Sequence, residues 1–190
     1  VRLGFEKLEP RIAAAVASFD VNLFEDIGGH PGVLITGDTV EVGDTLFAEI
    51  TVREHHPGFS GLQGVSLDIA WNSNVLKEVD DPFDLTSLIT PNLPIAQGGT
   101  LDNEAGTLVN LSGAAFPASK VGRPIGNLTP ERFALLHFQA IATGESSISM
   151  NQGVSSIATM PVSSLGSAQL DFDVAILSVV DSIKACGMED

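Results

Sequence analysis

Gly61-Leu62-Gln63-Gly64-Val65-Ser66-Leu67-Asp68-Ile69-Ala70-Trp71-Asn72-Ser73-Asn74-Val75-Leu76 is the stretch that decides the architecture. Val65, Leu67, Ile69 and Trp71 are apolar at a period of two, with Ser66, Asp68 and Ala70 between them, so alternate side chains point to opposite faces and only one face is buried. A half-buried strand is expected here. It runs into a polar Asn72-Ser73-Asn74 turn, after which Val75-Leu76-Lys77-Glu78-Val79 opens a second apolar segment.

The same alternation recurs on both sides of this strand. Phe19, Val21 and Leu23 alternate with Asp20 and Asn22, and Leu46, Ala48, Ile50 and Val52 alternate with Phe47, Glu49, Thr51 and Arg53. Thr107 to Leu111, Phe133 to Ala142 and the segment around Ile148 and Met150 are further strands, the second long enough to cross the centre of a sheet. Leu170, Phe172, Val174 and Ile176 alternate with Asp171, Asp173 and Ala175 in a closing strand. Thr129-Pro130-Glu131 places an N-cap residue before a proline, which predicts a turn of helix, and Pro82 to Leu88 is able to form one or two helical turns. About nine strands separated by turn clusters, with no helix of ten residues, predict an all-β chain: an antiparallel β-sandwich of jelly-roll topology. Leu67, Ile69, Trp71, Leu136, Phe138, Phe172 and Val174 are expected to share its core.

Composition narrows the function. The 190 residues fit one domain, and 9 Lys+Arg against 24 Asp+Glu give a net charge of -15, which repels phosphate backbones and anionic headgroups. Nucleic acid and direct membrane insertion are disfavoured. The single cysteine, Cys186, excludes an internal disulfide and a thiolate metal cluster.

Residues 1–18 read as an export-like segment, 19–180 as the sandwich and 181–190 as a tail. Arg2, Lys7 and Arg11 precede the short apolar run Ile12 to Ala17, and Ala15-Val16-Ala17 has the small-x-small pattern of a signal-peptidase site. A short amphipathic helix or an unstructured tail is the alternative. Phe5-Glu6-Lys7-Leu8-Glu9-Pro10-Arg11 resembles the LEPR-type N-terminal signature of secreted proteins in planctomycete-type bacteria, which implies a secreted or cell-surface location.

Three features between Val40 and Val180 resemble cohesin modules. They are Val42-Gly43-Asp44-Thr45 opening a strand, the signature strand with its Asn74-Val75-Leu76 sequel, and the strand-glycine-strand ending from Phe133 to Ser149. The resemblance implies a cohesin-like sandwich, a non-catalytic role in extracellular protein–protein assembly, and a dockerin-like partner bound through polar residues of the signature strand. By position the family's Asn and Asp fall at Gly64 and Ser66. Together with Asp68, which the alternation points outward, these are the candidate partner-binding residues. Gly64 has no side chain to offer, so the partner need not be the family's own.

Two other functions compete: a structural subunit of a surface layer or fibre assembled from copies of the chain, and a carbohydrate-binding module. Sugar sites rely on exposed aromatic rows, whereas this chain has no Tyr and one Trp on an apolar side. Polysaccharide is therefore the weaker expectation. No G-x-S-x-G, H-E-x-x-H, Walker or Rossmann pattern is present, and the chain is read as a non-enzyme. Glu54-His55-His56 is the densest imidazole site, but adjacent strand residues point to opposite faces and do not share a metal. His137 reads as a half-buried sheet histidine with a hydrogen-bond partner. Asp80, Asp81 and Asp84 in one loop, with Asp102, Asn103 and Glu104 in another, supply the hard oxygen ligands that calcium takes. Any metal is expected to be structural calcium there, solvated acidic loops being the simpler reading. Asn110-Leu111-Ser112 and Asn127-Leu128-Thr129 match the short N-glycosylation pattern, which a bacterial origin makes irrelevant.

Overall fold

The computed structural model describes residues 16–37, 39–79, 88–154, 157–160 and 163–181. Within them, strand segments form two facing sheets. The first is centred on β1 (Ala17–Asp26), β4 (Thr45–Glu54) and β9 (Glu131–Ala140). β2 (Pro31–Leu34) and β13 (Leu170–Phe172) pair with β1, and β6 (Leu76–Glu78) pairs with β9. The second is centred on β5 (Leu62–Ala70), flanked by β8 (Thr107–Ala114) on one side and by β10 (Gly144–Gln152) and β11 (Ile157–Thr159) on the other. β7 (Ile95–Asp102) pairs with β8, β14 (Val174–Val180) and then β3 (Thr39–Glu41) follow β10, and β12 (Ser163–Leu165) pairs with β11. Every named pair is antiparallel except β1 with β13 and β14 with β3.

The expected periodicity is what closes the core. Phe19, Val21 and Leu23 on β1, with Leu46, Ala48, Ile50 and Val52 on β4, face Leu67 and Ile69 on β5, Leu108 and Leu111 on β8, and Ile148 and Met150 on β10 in one cluster of buried side chains. β9 runs through the first sheet between β4 and β6, and buries Leu136 and Phe138.

The signature stretch carries the chain from one sheet to the other. Trp71 ends β5 6% exposed, with its indole N–H donating to the Leu76 carbonyl at 3.1 Å and its ring meeting Phe138 edge-on at 5.2 Å. Asn72 makes the turn: its carbonyl accepts from Val75 N and Leu76 N, and its carboxamide donates to the Glu145 carbonyl. Gly106 accepts the Trp71 backbone N–H at 2.9 Å from a left-handed φ of 67°, where a Cβ would run into the Trp71 carbonyl.

Three expectations are corrected. Val174 and Ile176 are 45% and 54% exposed, outside the core, while Ala175, Leu177 and Val179 point inward and Phe172 is half-buried against Phe19. The closing strand is two strands: β13 lies in the first sheet and β14 in the second. Asp173, whose N–H donates to the Phe19 carbonyl, is used in the crossing, and one residue flips every later side chain. Thr129-Pro130-Glu131 makes no helical turn, because Glu131 already begins β9. At the start of β1, Ala17 is buried and Val16 N donates to the Gln169 carbonyl at 2.8 Å. The predicted turns over residues 82–87 lie outside the described residues.

Trp71→Ala removes a ring that holds both sheets and is expected to cost about 3–5 kcal/mol in chemical denaturation. Trp71→Phe keeps most of the packing but leaves the Leu76 carbonyl without its donor, for a smaller loss of about 1–3 kcal/mol. An unchanged denaturation midpoint in both variants would show that the crossing does not depend on this ring.

Candidate partner-binding face

Register defines what the second sheet shows to solvent. Ala158, Gly64, Ala114 and Ile95 pair across β11, β5, β8 and β7 in one row, and Ser66, Ser112 and Gly98 form the next. Asn151 pairs with Asp68, and Thr100 with Val109, in a third; Ser149, Ala70, Thr107 and Asp102 form a fourth. Cross-strand partners share a face, so this surface is built almost wholly from small or short side chains. In a chain of net charge -15, only Asp68 and Asp102 bring charge to these rows.

Two irregularities shape the middle of the face. On β8, Val109 and Asn110 together oppose Asp68, a β-bulge in which Asn110 takes a left-handed φ of 57°. Asp68 Oδ1 accepts the Asn110 N–H at 2.8 Å and steadies the bulge. On the other side of β5, Gln152 pairs with Leu67 and Ala158 with Gly64, so the chain between them is longer than the strand segment it passes and leaves the ladder as a strap. Gly153 N donates to the Ser66 carbonyl at 2.9 Å and Val154 N to Asn110 Oδ1 at 2.9 Å. Val154 is 84% exposed and Val109, 38% exposed, stands on the bulge.

The candidate residues therefore fare differently. Gly64 and Asp68 lie on the outward side of β5, half-buried. Ser66 is on the same side but fully buried, because Gly153 crosses it, and its hydroxyl has no hydrogen-bond partner. It is not the open surface residue that the alternation implied. Gly153 and Val154 escaped the sequence reading, and Asn110 entered it only through the glycosylation pattern; the signal available was a glycine directly after the alternating run of β10, and an asparagine inside the apolar run of β8.

The acidic loop at 102–104 is occupied with structural work. Asp102 Oδ1 accepts from Glu104 N and Ala105 N, closing the β7–β8 turn, and Glu104 is exposed. Asn103 pairs with the backbone of Glu78 through both ends of its carboxamide, at 3.0 and 2.9 Å, tying this hairpin to β6. Asp80, Asp81 and Asp84 lie outside the described residues. Among the described residues, no three His, Cys, Asp or Glu side chains come together in an arrangement that could hold a metal ion. His55 Nε2 lies 2.9 Å from Ser18 Oγ, whereas His56 Nδ1 accepts from Gly58 N. A surface cleft of about 720 Å³ near the end of β1 is lined by Glu25, Asp26, Glu41 and Asp44.

Asp26 is tied into the first sheet by several hydrogen bonds. It accepts from Thr45 Oγ1 and Gly29 N, each at 2.7 Å, and lies 3.0 Å from His137 Nε2, whose ring stacks on Phe47. The Thr45 hydrogen bond, with those from Gly29 and His137, holds its carboxyl below the ordinary 3.8. Asp20 is pushed the other way, first by desolvation and then by Asp173 and Asp171.

No family model matches the chain, and no curated protein matches it. Solved structures do. The seventh ScaB type I cohesin of Pseudobacteroides cellulosolvens superposes with a TM-score of 0.59 at 15% identity over 92% of this chain and 98% of that one. A type II cohesin domain from the cellulosome of Acetivibrio cellulolyticus gives 0.56 at 17% identity over 87% and 95%. A Clostridium thermocellum cohesin, solved in a type I cohesin–dockerin complex, gives 0.54 at 13% identity over 90% and 99%. The chain has a cohesin-like fold. At these identities the likeness is one of architecture, and the cohesin-like sandwich carries its own residues on every face described above.

The two shifted aspartates make opposite predictions. The lowered carboxyl of Asp26 adds stability above pH 3.8 that is lost as pH falls through its folded value. Asp26→Asn should therefore be less stable than the parent at neutral pH, the gap closing in acid. The raised carboxyl of Asp20 is a penalty in its ionised form, so Asp20→Asn should melt higher at neutral pH, with no advantage below 3.8. Melting curves across an acid series check both signs.

Proposed function

We propose that this chain is a non-catalytic extracellular assembly module of the cohesin type, which docks a dockerin-like protein partner on the outward face of β5, β8 and β10. The observation that carries the reading is the face itself: four rows of mostly short side chains with only Asp68 and Asp102 charged in an acidic protein, and marked at their centre by the exposed Val109 and Val154. Interfaces are depleted of charge at their cores. The cohesin-like fold supports the same reading, one of its structural relatives having been solved with a dockerin. Gly64 and Asp68 serve as contacts within it. The N-terminal resemblance and the acidic surface support a secreted setting.

Assembly by strand addition has less support. The outer strands β2, β3, β6, β12 and β13 have three or four residues each. The longer β7 is interrupted by register shifts and by Ala96 at a φ of 52°, devices that blunt an edge. A sugar platform is also unsupported, since the four rows hold no aromatic side chain and Trp71 is buried.

Calorimetry against type I and type II dockerins tests the proposal. Val109→Arg with Val154→Arg should weaken binding tenfold or more, about 1.4 kcal/mol, while leaving the melting temperature near that of the parent, because both side chains already face solvent. Undiminished affinity in the double variant would move the site to another face. Hydrolysis of a polysaccharide by the purified chain, or filaments in light scattering without any partner, would remove the reading.

A further inference from the structure

Beneath the strap lies a group of oxygen atoms that the packing of the sandwich does not require. A methyl group added at Gly153 would sit 2.5 Å from Ser66 Oγ, 3.0 Å from Asn110 Oδ1 and 3.3 Å from Asp68 Oδ1. Three oxygens from three different residues thus line the side of Gly153 on which a Cβ would stand, and residue 153 packs directly on them because it has no side chain. Asp68 Oδ1 already accepts the Asn110 N–H and Asn110 Oδ1 the Val154 N–H, yet each oxygen retains a second lone pair. Ser66 Oγ is fully buried and has no partner at all. Leaving a buried hydroxyl unpaired is costly in a folded protein and calls for an explanation.

We infer that Ser66, Asp68 and Asn110 form a receptor for a primary ammonium group, supplied in a docked complex by a lysine of the partner. The chemistry matches in number and charge: an ammonium carries three N–H donors and no acceptor, and the site offers three oxygens and one carboxylate. A divalent cation is the poorer fit, since calcium takes six to eight oxygens, usually from several carboxylates, and one carboxylate is present. Entry requires Gly153 to rise from Ser66, breaking the hydrogen bond between Gly153 N and the Ser66 carbonyl. Among the described contacts, the hydrogen bonds of Gly153 N and Val154 N are what hold the strap down here, and since Val154 is almost wholly exposed, lifting it uncovers little apolar surface. The net charge of -15 favours approach of a basic group. The identity of the donor as a partner lysine rests on the docking face proposed above; the receptor itself does not.

Titration with n-butylammonium, followed through the backbone amide resonances of Asn110, Gly153 and Val154, tests the receptor without any protein partner. Saturable shifts are expected in the parent, with tetramethylammonium, which has the charge but no N–H donor, producing none. Ser66→Ala and Asp68→Asn should each weaken the response at least fivefold. Ser66→Ala should do so with an equal or higher melting temperature, because it removes the unpaired hydroxyl, an outcome that a purely structural role for Ser66 does not produce. Equal shifts with tetramethylammonium, a response to calcium but not to butylammonium, or full binding by Ser66→Ala would each overturn the receptor. If butylammonium binds and no dockerin does, it is the docking reading that fails; if dockerins bind and butylammonium does not, the receptor fails alone.

Discussion

The fold hangs on the way one strand leaves its sheet. β5 sits at the centre of the second sheet, and only five residues separate its last residue from the first of β6 in the first sheet. The chain must cross the sandwich in that span without leaving its polar groups unpaired in the interior. Trp71 and Asn72 meet the requirement together. The indole fills the gap against Phe138 and donates to the Leu76 carbonyl, while Asn72 takes up the N–H groups of Val75 and Leu76 and reaches Glu145. Because both inner faces are sealed by this crossing, the positions of β8, β9 and β10 around it follow from their apolar alternation.

How much of this was legible in the sequence depended on whether a strand stays in one sheet. β1, β4, β5 and β9 do, and their alternating residues point where the period predicts. The segment from Leu170 to Val180 does not. Its pattern is continuous in sequence, but Asp173 is used at the corner, and Val174 and Ile176 emerge on the solvent side. Composition carries no trace of such a corner, because its cause is the location of two different neighbours, β1 and β10. The candidate face was half legible for the same reason. Alternation placed Gly64, Ser66 and Asp68 on one side of β5 correctly, yet whether that side is open is decided by a strap arriving from residues more than 80 positions later. Burial of Ser66 is a tertiary fact.

The two irregularities on the face are mechanically linked. The bulge at Asn110 exists in a left-handed conformation that asparagine tolerates better than most residues, and Asp68 secures it by accepting its N–H. The same Asn110 then presents its carboxamide oxygen to Val154 N and seats the strap. Asp68 on the central strand thereby governs, through β8, a strap that arrives from β10 on the other side of β5, without hydrogen-bonding Val154 itself. A side chain that looks on paper like a free contact residue is in part the foundation of the exposed apolar point beside it.

Charge gives the face its selectivity. A chain of net charge -15 keeps copies of itself apart, and the repulsion is weakest where carboxylates are sparse. In the four rows around β5 only Asp68 and Asp102 carry charge, Glu145 and Glu41 lying toward the β14–β3 end of the same sheet, so a partner approaching those rows would desolvate few ions, a cost that buried charge rarely recovers. The unpaired Ser66 hydroxyl is then the local counterpart of that global asymmetry. In the free protein it costs about 1–3 kcal/mol, a penalty that an alanine at the same position would avoid. A module selected for stability alone would have no use for it, whereas one whose buried oxygens await a donor carries that penalty until the donor arrives.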